Sequence, residues 1–196
     1  VPFATGDLTP AAIGAIRADV FGSVLAPPAT GTDFDAFLAS GQGAAAVLAR
    51  IGACFAPGVA VANGLPTVEA TNIWQDAPTE NSTASRHLGH PVMAHIETTH
   101  GRGPLWRATA RLYDIDMALT GSLPPISTPQ SGSAMVPATR GSYAMRIEHK
   151  DNTVTAFARM TPTDSLLAQG GILERSLASL PAEGAGLAPL MLDILD

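Results

Sequence analysis

Arg140 is the residue whose type and setting most invite chemistry. It stands in Ala138-Thr139-Arg140-Gly141, directly before a predicted strand. There a planar guanidinium can present its donor fork to an anion, and the glycine lets backbone come close. Downstream, Thr161-Pro162-Thr163 ends a second predicted strand and leaves the amide and hydroxyl of Thr163 to donate. If the two arms pair about Asp151, Arg140 falls opposite about Pro162. Thr139, Arg140, Thr161 and Thr163 then form one small polar group. The competing role for Arg140 is a structural ion pair with Asp164.

Other reactive side chains are less well set. Four of the five histidines, His87, His90, His95 and His100, lie in one short stretch and form an alternative site for a transition metal. Pro91 interrupts the helix that would align His87 with His90, and no carboxylate or thiol completes a recognisable ligand motif. Cys54 follows Ile51 on an apolar helix face, where it is expected to pack as a small hydrophobe rather than act as a nucleophile. The serines occupy no G-x-S-x-G setting, and Gly101-Arg-Gly103 does not follow a strand.

The elements that must position these residues are mostly helices. Thr9 and Pro10 open a helix carrying Ile13, Ile16, Val20 and Val24 at helical spacing. A short helix capped by Thr32 follows, then one from about Gln42 to Phe55. Further helical stretches are expected at Ser82 to His87 and Pro91 to Thr98. Gly103-Pro104 starts the best-patterned helix, with Leu105, Leu112, Ile115 and Leu119 on one stripe and Arg107, Arg111 and Asp114 directed elsewhere, as on a surface helix. Residues 121–137 hold four prolines and read as an irregular connection.

From Ser142 to Met160 two period-two arms flank Lys150-Asp151-Asn152, which predicts a β-hairpin. Tyr143, Met145 and Ile147 are the arm's expected inner face, with Arg146 and Glu148 outward. Ile172 to Leu180 and Leu187 to Leu195 read as short closing helices. The expected class is α+β: one domain over 1–196, helical from about 8 to 120, an irregular connection at 121–137, and the hairpin with terminal helices at 138–196.

The chain of 196 residues is 46% hydrophobic, enough for one substantial core. A formal charge of −6 with a single lysine, Lys150, gives no basic patch for nucleic acid. The longest uncharged run, Ile51 to Val68, is broken by prolines and glycines, so no membrane span is expected. One cysteine excludes an internal disulfide or a paired-thiolate metal site within these residues, and the cytoplasm is the expected compartment.

The motifs around Arg140 resemble the C-terminal part of nickel-iron hydrogenase large subunits, in which an Arg-Gly, a hairpin and a Pro-Ser/Thr turn surround the cyanide ligands of the active-site iron. Upstream, Glu80, Ala84-Ser-Arg86 and His90-Pro91 resemble the corresponding stretch of HupK/HoxV-type hydrogenase accessory proteins, degenerate relatives of that subunit. The segment from Gly171 to Pro181 resembles the large-subunit segment that runs to its C-terminus. Carried over residue by residue, the resemblance implies a pocket for iron-bound diatomic ligands at Arg140, Pro162 and Thr163, with Thr139 and Thr161 beside them. It implies a non-catalytic scaffold or chaperone, because both Cys-x-x-Cys pairs of the catalytic subunit are missing from these residues. The implied cargo is a transient iron dicyano-carbonyl unit, with no stably bound cofactor. Hydrogenase maturation proteins and the large subunit are the implied partners. A fragment of a catalytic homologue and a purely structural interaction module are the alternatives.

Overall fold

The computed structural model describes residues 8–128 and 130–195. The Thr9 hydroxyl accepts from the Ala12 amide and starts α1 (Pro10–Phe21). The next helix, α2 (Gly31–Ser40), is capped by Thr30, not by Thr32: Asp33 reciprocates Thr30 in a capping box, while the alternative partner Asp35 is turned to His95. Then come α3 (Ala45–Cys54), a 3₁₀ turn at Thr83–His87 capped by Ser82, α4 (Pro91–His100) and α5 (Pro104–Thr120). Three strands, β1 (Ser133–Ala138), β2 (Gly141–Lys150) and β3 (Thr153–Met160), pair antiparallel in that order. Short helices α6 (Pro162–Leu166), α7 (Ile172–Ala178) and α8 (Ala188–Leu195) close the chain. The fold is α+β.

The connection expected to be irregular over 121–137 is ordered at its end as β1. Pro137 sits there opposite Ser142, and a bridge from Ser127 to Met135 covers the outer edge. Proline is tolerated because β1 is an edge strand. On the other side, Asp151 and Asn152 take positive φ (48° and 60°) and close a two-residue turn between β2 and β3.

The expected inner face of β2 is reversed. Ser142 and Ala144 are buried, and Arg146 lies 5.1 Å over the Trp74 ring, whereas Met145 is exposed and Tyr143 and Ile147 are half-covered. Small residues face the body because the backbone there comes up against Asn81. Met135 and Met160, the partners of Ala144 on either side, fill the remaining space against Val68, Ile73 and Trp74.

The expected surface helix is instead the centre of the helical body. On α5, Leu105, Trp106, Arg107, Thr109, Ala110, Leu112 and Tyr113 are all buried, against α3, α4, α8 and the 3₁₀ turn. Its apolar arc is wide because Trp106, Ala110 and Tyr113 form a second stripe beside the leucines. Cys54 lies exposed at the end of α3, since Leu48, Ile51 and Phe55 take the buried side. No single helix among the described residues is long and apolar enough to cross a membrane. The bent pair α2–α3 passes that test only when joined, and Phe34, Phe37, Leu48 and Ile51 of that pair are in the core.

Candidate functional site

The segment Glu80–Arg86 joins the helical body to the sheet, and every polar side chain in its first half has a defined partner. Glu80 is wholly buried. Its carboxylate accepts from Arg107 Nε and Nη2 (3.3 and 2.6 Å) and from the Ser82 hydroxyl at 2.6 Å. Arg107, 2% exposed, also donates to the Arg102 carbonyl at 2.6 Å. A pair so fully removed from water holds only because its remaining hydrogen-bonding capacity is met.

Asn81 uses its side-chain amide as a strand would use its backbone. Its Oδ1 accepts from the Ser142 amide at 2.7 Å, and its Nδ2 donates to the Ser142 carbonyl at 3.0 Å. Nδ2 also reaches the Ser165 hydroxyl, 3.3 Å away in α6. Gly141 permits this approach: it takes φ 150°, and a Cβ there would lie 2.3 Å from the Asn81 carbonyl oxygen.

Arg86 grips the same turn from the other side. Its guanidinium donates to the Gly141 carbonyl at 2.6 Å and to the Ala138 carbonyl at 2.9 Å, the two residues that close the loop bearing Thr139 and Arg140. The same group is ion-paired with Asp114 of α5, which His87 Nε2 also meets at 2.7 Å. Burial raises the Asp114 pKa, but hydrogen bonds from His87 and Arg86, and their charge, outweigh it and leave the pKa below the ordinary 3.8.

Beside them, Tyr113 donates to the Pro28 carbonyl at 3.0 Å, and burial pushes its phenol well above the usual range. His90 packs on Tyr113 with ring centroids 4.1 Å apart and accepts from the Val92 amide through Nδ1. Burial, and then the neighbouring His87, lower its pKa from 6.5.

Arg140 occupies the tip of the β1–β2 turn rather than a ladder position opposite Pro162. A bulge at Glu148/His149 shifts the β2–β3 pairing so that Ala144 meets Met160, and the ladder ends before Arg140. Even so, Thr139, Arg140, Thr161, Pro162 and Thr163 surround one cleft of about 460 Å³, together with Tyr143, Arg159 and Asp164. Arg140, Pro162 and Thr163 also line a narrow void behind it, next to Asn81 and Ser82. Asp164 serves the cap of α6: its Oδ2 accepts from the Thr161 amide (2.8 Å) and hydroxyl (2.7 Å).

The four clustered histidines do not converge. His87 and His90 flank Tyr113, His95 meets Asp35 at 3.2 Å, and His100 meets the Thr99 hydroxyl. Among the described residues no three His, Cys, Asp or Glu side chains stand close enough to hold a metal ion. Sequence reasoning missed Asn81, Arg107 and Asp114 as parts of this assembly. For Arg107 and Asp114 the available signal was a charged pair on a helix whose apolar arc leaves little solvent face. Asn81 carried none.

Over 160 residues, 82% of the chain, the sequence is 48% identical to a protein of Rhodobacter capsulatus described as hydrogenase expression/formation protein HupK. The match spans about half of that protein's length, 53%. No family model matches the chain, and no solved structure matches it significantly.

Proposed function

Because the chain is a relative of a HupK-type hydrogenase expression/formation protein, we propose that it serves hydrogenase formation as a non-catalytic accessory protein that holds the iron dicyano-carbonyl part of a nickel-iron centre during assembly. The observation that carries this reading is the convergence of Arg140, Pro162 and Thr163 on one cleft, at the tip of a turn gripped by Arg86 and Asn81. An iron-bound cyanide is anionic and accepts hydrogen bonds at its nitrogen. A guanidinium fork offers charge and direction together, and the Thr163 side adds further donors.

These residues supply one thiol, Cys54, which is exposed, where a nickel-iron centre needs four soft ligands. The cleft therefore recognises the diatomic ligands, while the metal's own bonds come from elsewhere. Partners on this reading are hydrogenase maturation proteins and the large subunit, met in the cytoplasm.

Infrared spectroscopy of protein purified anaerobically from a host expressing its operon tests the reading, since cyanide and carbonyl stretches report directly on the cargo. Arg140→Leu should lose those bands while thermal stability stays within about 1 kcal/mol, as is usual for an exposed charge. Arg140→Lys should not restore them, because a point charge does not reproduce the planar fork. Bands undiminished in Arg140→Leu would remove the cleft from the function.

A further inference from the structure

The cleft holds a second guanidinium that the Arg140 motif does not include. Arg159, on β3, reaches the same mouth from the side opposite the β1–β2 turn, with Tyr143 between them on the outer face of the sheet. Its sole interaction among the described residues is an ion pair with Asp164 at 3.9 Å between two well-exposed side chains. That contact is too long and too wet to hold it. Nor can Asp164 close the gap, because its Oδ2 is fixed by the Thr161 amide and hydroxyl in the capping box.

The cleft, about 460 Å³, has room for more than one diatomic ligand at once. Both guanidiniums border this mouth, on a chain whose net charge is −6. Elsewhere such a surface repels a polyanion, so binding would be local to this cleft.

Building on the proposed function, we infer that Arg159 is a second recognition residue and that the ligand is a whole complex anion with several outward acceptor ends, one met by Arg140 and another by Arg159. Arg140, tied into the turn, sets the ligand's position. Arg159, on an exposed strand, swings from Asp164 onto it and distinguishes a multi-ended complex from a simple anion.

Hexacyanoferrate(II), which presents cyanide nitrogens in several directions, is the probe, with sulfate as a divalent anion lacking them. Titration calorimetry on the full chain should give tighter binding of hexacyanoferrate(II) than of sulfate. Arg159→Gln should weaken the former by about tenfold or more, the usual effect of losing one charge-assisted hydrogen bond, with little effect on sulfate. Arg140→Gln should weaken both.

Since Arg159 is exposed, its variant should keep the wild-type circular dichroism and melting curve, so a loss of binding reads on recognition. If Arg159→Gln binds hexacyanoferrate(II) as the wild type does while Arg140→Gln does not, the second residue is refuted and the Arg140 cleft stands. If the wild type does not prefer hexacyanoferrate(II) to sulfate, the complex-anion ligand is refuted. If Arg140→Gln binds normally, the cleft reading itself fails, as it also would in the infrared test.

Discussion

Gly141 is where backbone geometry and the site meet. At φ 150°, with the Asn81 carbonyl 2.3 Å from where a Cβ would stand, a side chain is opposed both by torsion and by contact. Gly141→Ala should destabilise the chain by roughly 2–4 kcal/mol in urea unfolding, with the Asn81–Ser142 bonds broken.

His90 acts on pH. Its folded pKa is depressed below 6.5, so its contribution is present above that value and is lost as pH falls through the folded value. The physical cause is burial of the ring and then the neighbouring His87, and the unprotonated Nδ1 is also the atom that accepts from Val92. Asp114 works in the same direction but only in acid, its contribution going as pH falls below 3.8 through its own lowered value. Unfolding midpoints taken near about pH 7.5 and about pH 5 should therefore separate less in His90→Asn, which caps without titrating, than in the wild type.

At the level of elements, the β1–β2 turn is held by a helix-borne network. Arg86 is its hub, linking two turn carbonyls to Asp114 of α5. Arg86→Met would strand a mostly buried carboxylate and two carbonyls, and should cost about 3–5 kcal/mol, against about 1 kcal/mol for Arg140→Leu. Comparing urea denaturation of the two variants checks that ordering.

The elements themselves were largely legible in the sequence. Prolines at helix starts gave α1, α4 and α5, and Asp151-Asn152 gave the β2–β3 turn. What was not legible depended on tertiary burial. Arg107 was read as solvated because nothing in its neighbourhood shows that Glu80 will be buried against it, and β1 was hidden by Pro137 and the proline-rich stretch before it. The inner face of β2 was misread because alternation gives two faces without saying which one carries the close approach. At the candidate site, local motifs were enough to bring Arg140, Pro162 and Thr163 together at one cleft, whereas the side chains that grip their turn lie far away in sequence.

Across the whole molecule, the packing is uneven. One large cluster runs through α2, α3, α4, α5 and α8, while the sheet rests on Val68, Ile73 and Ala144 with a rim of Trp74, Met135 and Met160. Most of β3 is exposed, with Phe157 at 58%, and its outer edge pairs with no strand among the described residues. Hydrogen exchange should therefore show amides of β3 exchanging through local opening while those of α5 exchange only with global unfolding. Equal protection of the two would mean that sheet and helices open as one unit.

The wide separation of the gripping residues also gives the site an order in time. Arg86 and Gly141 are 55 residues apart, so at ribosomal rates Arg86 waits roughly 3–11 s for the carbonyl it will hold. Asp114 follows Arg86 by 28 residues, so for about the second half of that interval its carboxylate can occupy the guanidinium, and the chain then carries a socket into which the turn docks on emerging. The cleft is accordingly among the last surfaces to mature, and a nascent helical body does not present it before the sheet arrives.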